Sequence, residues 1–464
     1  MSLILRPSLE VRNNSLTTYF PINTKDKKEV FNWDDVLGFV VKTSFRKNLY
    51  LKPLNENEQK KIDNGECTQS EIAIHSFKNL CEKAFAKKLD DNSVWPTLEK
   101  MYFENGQLFK IAPEFLLFKT IPSKRNNRDS SLGEMFTNQL QDFFFEDKPN
   151  NKFNFIEKEL YFELMKLTKR PDSKKPELND RVPNEAPYLP FLANYLQKDL
   201  HFLGKRPKYL LTIFKEFLRL YAHLYTVQLT LNLNKWRDGE PKPQLCYYIL
   251  DNEKASHERY LIQDYGYKQF SGALGNLFPY LSMNESLQQK KINNKINTIH
   301  PLWAVAKNLS HQPESSMLLK AYAQAFKADR DLSISLNESE DPLDALADLL
   351  KMSRMQFASK QSRHQINKDY VKVTESEFCG HFIQSRSRAG KVLVFNQDYL
   401  LLLTNLAIGD DDKLRFHELI KSFESRGVFF DKKSQQSLVS FYERIGNVER
   451  MSDSGDAVYV RKTI

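Results

Sequence analysis

The chain has 464 residues, a formal net charge of +9, 41% apolar residues and 12% aromatic residues. That length is too great for one ordinary core and suggests two to four domains. With 33 phenylalanines and 20 tyrosines against 15 glycines, helix-packed cores are favoured over turn-rich β-structure. Four scattered cysteines, Cys67, Cys81, Cys246 and Cys379, form no CxxC pair, which excludes a disulfide framework and fits a reducing compartment. The opening run Met1–Pro7 turns polar too early for a signal peptide. The most apolar stretch, Tyr209 to Leu231, carries Lys215, Glu216 and Arg219, so it reads as an amphipathic helix and not a membrane span. The expectation is a cytoplasmic protein with no membrane contact.

Residues 1–170 read as an N-terminal helical domain. A helix opens at Phe31–Leu37, and a clearer one runs from Glu71 to Leu89, with Ile72, Ile74, His75, Phe77, Leu80, Cys81, Ala84 and Phe85 mostly along one face. Pro113 precedes an apolar run, Phe115–Phe118; Lys124–Arg128 is loop-like; Met135 to Phe145 is a further helix. The charged, proline-bearing stretch Lys169–Pro176 reads either as a linker or as a surface loop.

Residues 188–340 read as an aromatic-rich helical domain. Its main helix starts at Pro207 and extends as far as Trp236, and a short strand lies at 244–250. Residues 341–394 read as a basic connecting segment. Between 351 and 397 nine lysines and arginines, Arg354, Arg363, Arg386 and Arg388 among them, face three acids.

The last part, 395–464, has the pattern of a winged helix. A leucine-rich helix from Asp398 to Leu406 stops at Gly409, and Asp410–Asp412 offer a cap for the next. The second helix buries Phe416, Leu419, Ile420 and Phe423; the third, N-capped by Asp431, buries Leu438, Phe441, Tyr442 and Ile445. Two strands around the turn Ser452–Asp456 make a hairpin. Three helices followed by a hairpin is winged-helix order. The expected fold class is therefore mainly α: a multi-domain helical protein with a C-terminal winged helix and few strands elsewhere.

Opposite the core stripe of the third helix stand Lys432, Lys433, Gln436, Ser440 and Glu443, and Arg450, Arg461 and Lys462 flank the wing. Lysines suit phosphates, while Gln and Ser suit base edges. Lys432, Lys433, Gln436, Ser440, Arg450, Arg461 and Lys462, with Arg354, Arg363, Arg386 and Arg388 before them, are the candidate DNA contacts. Acids and bases nearly cancel over 398–464, however, so a protein-docking role stays open beside DNA contact.

Catalytic motifs are absent. Gly390-Lys391 is followed by Val392 without a glycine-rich lead-in, so there is no P-loop, and neither GxSxG nor HExxH occurs. Asp238 and Glu240-Pro241-Lys242 match the letters of a metal-dependent nuclease, but a proline splits the triplet. Cys379-Gly380-His381 with His364 gives only one close pair of the two that structural zinc needs. His201, His223 and His300 read as core groups. No catalytic residue, metal ligand or cofactor is assigned.

The runs Tyr399–Gly409, Arg426–Asp431, Gln436–Arg444 and Met451–Val460 resemble DptG (DndG), the G component of bacterial DNA phosphorothioation-dependent restriction systems. The specific resemblance covers about the last 70 residues. It implies a non-catalytic, anti-phage defence subunit that bridges the F and H components and engages double-stranded DNA. A metal-dependent nuclease subunit is the alternative.

Overall fold

The computed structural model describes residues 5–12, 19–26, 30–88, 92–121, 127–141, 143–145, 153–168, 185–255, 259–288, 291–292, 295–296, 298–451 and 457–464. The Lys169–Pro176 stretch, most of the Lys124–Arg128 loop and the Ser452–Asp456 turn lie outside these residues. Eighteen α-helices and nine short strands make the described chain mostly helical. No helix among the described residues is long and apolar enough to cross a membrane.

Contacts divide the chain into two units where four parts were expected. The smaller comprises Phe31–Val182 with Leu203–Lys215; the larger comprises Met1–Val30, Pro183–Phe202 and Glu216–Ile464. Residues 1–30 thus leave the expected N-terminal domain. The reason is that Tyr19 and Phe20 are buried in the larger unit, where the Tyr225 hydroxyl donates to the Tyr19 carbonyl at 3.0 Å and the Tyr19 hydroxyl to that of Ile299 at 2.7 Å.

The smaller unit holds helices α1 (Trp33–Ser44), α2 (Glu56–Asp63), α3 (Gln69–Phe85), α4 (Trp95–Phe103), α5 (Asn127–Leu140) and α6 (Phe155–Leu167). Thr68 and Glu71 form a capping box that starts α3. Its Phe77, Cys81 and Phe85 enter a core with Phe115, Phe118, Leu160 and Leu164, whereas His75 and Leu80 stand exposed. The helix expected from Met135 begins earlier and stops at Leu140, where Gln141 takes φ +48°. Phe115–Phe118 lie in a 3-10 run, Pro113–Thr120, against α1.

Two long helices follow, α7 (Pro190–Gly204) and α8 (Pro207–Leu233), and α8 ends before the 3-10 turn Trp236–Asp238. Beyond it come β1 (Tyr247–Leu250), α9 (Tyr260–Tyr265), α10 (Tyr267–Leu274), α11 (Leu277–Leu287), the pair β2 (Lys291–Ile292) and β3 (Lys295–Ile296), then α12 (Leu302–Leu309), α13 (Ser315–Asp329), α14 (Pro342–Met355) and α15 (His364–Thr374). The chain closes with β4 (Ile383–Arg386), β5 (Gly390–Phe395), α16 (Gln397–Ile408), β6 (Lys413–Arg415), α17 (Phe416–Glu424), β7 (Phe429–Phe430), α18 (Lys432–Arg444), β8 (Val448–Met451) and β9 (Ala457–Arg461).

A four-stranded sheet of order β4-β5-β1-β7 centres the larger unit. β1 runs parallel to β5 and β7, with Ile249 opposite Val394 and Tyr248 opposite Phe430, while β4 and β5 form an antiparallel hairpin. Val392–Phe395 and Tyr248–Leu250 are buried without alternation, the signature of strands covered on both faces. Residues 341–394 are therefore not a connecting segment. They supply two helices and two strands of this core.

The C-terminal part contains the three expected helices and the hairpin, with two differences. Lys413–Arg415 form a strand instead of Asp410–Asp412 capping a helix, because they pair with Tyr459–Arg461 in an antiparallel sheet of order β6-β9-β8. Phe429–Phe430, expected to cross between helices, pair with β1 and tie this part into the central sheet. Leu419, Ile420 and Phe423 of α17 and Leu438, Phe441 and Tyr442 of α18 are buried; of the residues expected with them, Phe416 is only partly buried and Ile445 is an exposed C-cap.

Gly427 ends α17 at φ +83°. A Cβ here would lie 2.2 Å from the Gln228 amide nitrogen. Gln228 cannot step aside freely: its amide donates to the carbonyls of Gln244 at 3.0 Å and Gly427 at 3.3 Å, and its oxygen accepts from the Gln244 N–H at 2.8 Å. Gly427→Ala is expected to cost about 1–2 kcal/mol from the left-handed backbone alone, with the Gln228 bonds lost in addition. Urea denaturation checks this; a cost near zero would mean that Gln228 repacks.

Candidate nucleic-acid interface

α18 is fixed from behind by a buried polar network. Asp431, its N-cap, accepts from the Ser434 N–H at 2.8 Å. Arg259 grips the same carboxylate with two bonds, Nε at 2.8 Å and Nη2 at 2.6 Å. The guanidinium also donates to Glu253 at 2.7 Å and to the Ser434 hydroxyl at 2.6 Å, and that hydroxyl donates to Glu253 at 3.0 Å. Burial would raise the Asp431 carboxyl, but the Arg259 fork and the Ser434 N–H outweigh it and hold the group below its ordinary value. A bidentate arginine fixes orientation as well as energy. The network anchors the first turn of α18 to the segment that follows β1.

With the helix so held, Lys432, Lys433, Gln436 and Ser440 all stand exposed on its outer side. Neither lysine has a carboxylate within ion-pair distance among the described residues. Both sit in the first helical turn, where the free N–H groups add their own positive end to the field.

The cations of the β8–β9 hairpin are more committed. Arg450 pairs with Glu443, the acid on the exposed side of α18. Arg461 pairs with Glu449, which Lys413 also reaches at 3.0 Å; the two cations hold that carboxyl below its ordinary value. Lys462 turns inward and donates to the carbonyls of Gly409, Asp410 and Asp411, at 3.3, 3.4 and 2.8 Å. It satisfies the end of α16 instead of facing a ligand.

The three described upstream arginines have different surroundings. Arg354 is exposed in the last turn of α14. Arg363 bonds Gln356 at 3.2 Å and lines a cavity. Arg386 is half-buried and donates to the Asp251 carbonyl. The side chain of Arg388 lies outside the described residues.

Asp238, Glu240 and Lys242 are exposed in the turn before β1, not on adjacent strands. Cys379 is buried and desolvation pushes its thiol up, while His381 is exposed. Among the described residues no group of three or more His, Cys, Asp or Glu side chains could hold a metal ion. His201 is exposed instead of packed in a core. Arg259 and Glu253 carried no signal in the sequence, since Arg259 lies 172 positions from its partner Asp431. No protein-family model matches the chain, and no curated protein matches it either.

Proposed function

We propose that this chain is a non-catalytic, cytoplasmic subunit of a phosphorothioation-dependent DNA restriction complex, resembling DptG, that bridges the F and H components and engages double-stranded DNA. The reading rests on α18. Two unpaired lysines, an amide and a hydroxyl share the outer side of a helix whose first turn is locked by Arg259. A helix so presented, with a hairpin after it, matches the way winged helices enter the major groove, lysines on phosphates and Gln436 toward base edges.

Binding of the purified chain to duplex DNA should fall steeply with salt, with log K losing about 0.9 per phosphate contact for each unit of log salt. The Lys432→Glu/Lys433→Glu variant should lower affinity at least tenfold and flatten that slope by about 2 units. Arg450 adds less because Glu443 already neutralises it. Unchanged binding in the double variant would reject α18 as the DNA surface.

The pairing of Arg450 and Arg461 favours a second reading, in which the hairpin docks a partner protein. In that case charge reversal at Arg450 and Arg461 would lose co-purification with the F or H component and leave DNA binding intact.

A further inference from the structure

A cavity of about 260 Å³ opens in the larger unit between α11, α14, α15 and the N-terminal segment. One part of its lining is aromatic, where Phe278 and Phe357 meet edge to face at 5.4 Å. Another carries Ser282 and Ser286, and Arg12 and Arg363 complete it. An apolar surface with a few convergent polar groups is the usual make-up of a small-molecule site.

The charges around it are poorly matched. Arg363 has one polar contact, the Gln356 side chain at 3.2 Å, and no carboxylate within ion-pair distance among the described residues. Burial and the nearby Arg330 both push its guanidinium down from its ordinary value, against the weaker pull of Asp329. Arg330 itself pairs with Asp329 at 3.0 Å and donates to the Arg12 carbonyl at 3.2 Å. Among the described residues Arg12 pairs with Glu10, at 3.0 Å in an exposed bridge of little strength. Arg6 feels the repulsion of Arg12 and the attraction of Glu285. Among the described residues, Arg12 and Arg363 thus line the opening with Arg330 and Arg6 close enough to repel them. An anion entering the cavity relieves that repulsion.

Guanidinium forks match phosphoryl oxygens, and phenylalanine rings match a flat apolar group. We propose that this cavity binds a small organic phosphate of mononucleotide type, its phosphoryl group on Arg363 and Arg12 and its ring against Phe278 and Phe357. The volume lies just below the range of roughly 300–1,000 Å³ typical of ligand sites, so one nucleotide unit is the upper limit of size. That unit is either a free mononucleotide or the 5′-phosphorylated end of a DNA strand. The site is separate from α18 and does not rest on the duplex-binding reading.

Calorimetric titration of the full chain tests it with dAMP, deoxyadenosine, inorganic phosphate and a single-stranded oligonucleotide with or without a 5′-phosphate. Saturable binding of dAMP is expected, with deoxyadenosine and inorganic phosphate each at least tenfold weaker. Arg363→Gln should weaken dAMP at least tenfold. Phe357→Leu should weaken dAMP and leave inorganic phosphate unchanged. Tighter binding of the 5′-phosphorylated oligonucleotide than of dAMP supports the site with a strand end as its ligand, and the reverse order supports it with the free nucleotide. Equal binding of dAMP and deoxyadenosine, no saturable binding of any probe, or an unaffected Arg363→Gln protein overturns the proposal. Duplex binding by the Arg363→Gln protein, and dAMP binding by the Lys432→Glu/Lys433→Glu protein, should both be intact, so the two readings fail separately.

Discussion

Replacing Asp199 by alanine should destabilise the protein by about 3–5 kcal/mol, because it strands a buried arginine. Asp199 and Arg426 are each 1% exposed. The guanidinium donates to the carboxylate through Nη2 at 2.7 Å and Nε at 3.2 Å, and its remaining side binds the Ser422 carbonyl at 2.9 Å and hydroxyl at 2.8 Å. The Tyr195 ring lies 4.2 Å from the guanidinium carbon, and the Tyr221 hydroxyl donates a further bond to Asp199 at 2.5 Å. Burial pushes the Asp199 carboxyl up and Arg426 opposes it, so removal of either partner leaves the other without compensation. The pair itself adds little net stability, since two charges have been taken out of water to make it. Its effect is specific: it joins α7 and α8 to the turn after α17 and so sets where β7 meets β1. The apolar double variant Asp199→Leu/Arg426→Met should therefore recover most of the loss. Urea denaturation of the three proteins decides the matter. A loss below about 1 kcal/mol for Asp199→Ala would mean that water reaches Arg426 and screens it.

What could be read from the sequence was local. The centres of the buried stripes of α3, α17 and α18 and the outward position of Lys432, Lys433, Gln436 and Ser440 follow from helical spacing and are found, while His75 and Leu80, Phe416 and Ile445 at the margins of those stripes are not buried. Apolar β1 was also visible between its proline and its turn. The strands β4 and β5 were hidden by the lysines and arginines around them, which sit at exposed or edge positions while Val392–Phe395 go inside. β7 is two residues long and has no pattern of its own; only its pairing with β1 makes it a strand. The three described upstream arginines looked equivalent in the chain. The fold gives them different surroundings: open surface for Arg354, a cavity for Arg363, a main-chain carbonyl for Arg386. The two buried arginines that organise the larger unit, Arg259 and Arg426, find their acids 172 and 227 positions away, where no periodicity can point.

Acid should weaken the fold through His223. Its ring is fully buried, stacked on Phe382 at 4.0 Å with Nε2 3.0 Å from the Tyr248 hydroxyl. Nδ1 has no hydrogen-bond partner, so nothing receives a second ring proton. Desolvation accordingly drives the imidazole down to about 3. The sign follows from linkage. Above the unfolded value of about 6.5 both states hold a neutral ring and no penalty arises. Between that value and about 3, the unfolded chain takes up a proton that the native ring refuses, so stability falls as pH falls. At about 1.4 kcal/mol per unit, the loss approaches 5 kcal/mol at the bottom of the window. His223→Gln keeps an amide donor for Tyr248 and cannot titrate. Its unfolding midpoint should be nearly flat over the pH range in which the parent protein's falls, once the background shared by both proteins is subtracted. Parallel curves would show that the native ring protonates without cost. The effect should reach α18 as well. Tyr248 is in β1, the strand that pairs with β7, and its carbonyl lies 3.5 Å from the Ser434 hydroxyl in the Arg259 network. Loss of the packing around His223 would release the same turn that holds Lys432 and Lys433 outward, so DNA affinity in the parent protein should decline with stability below pH 6.5, and in His223→Gln it should persist to lower pH.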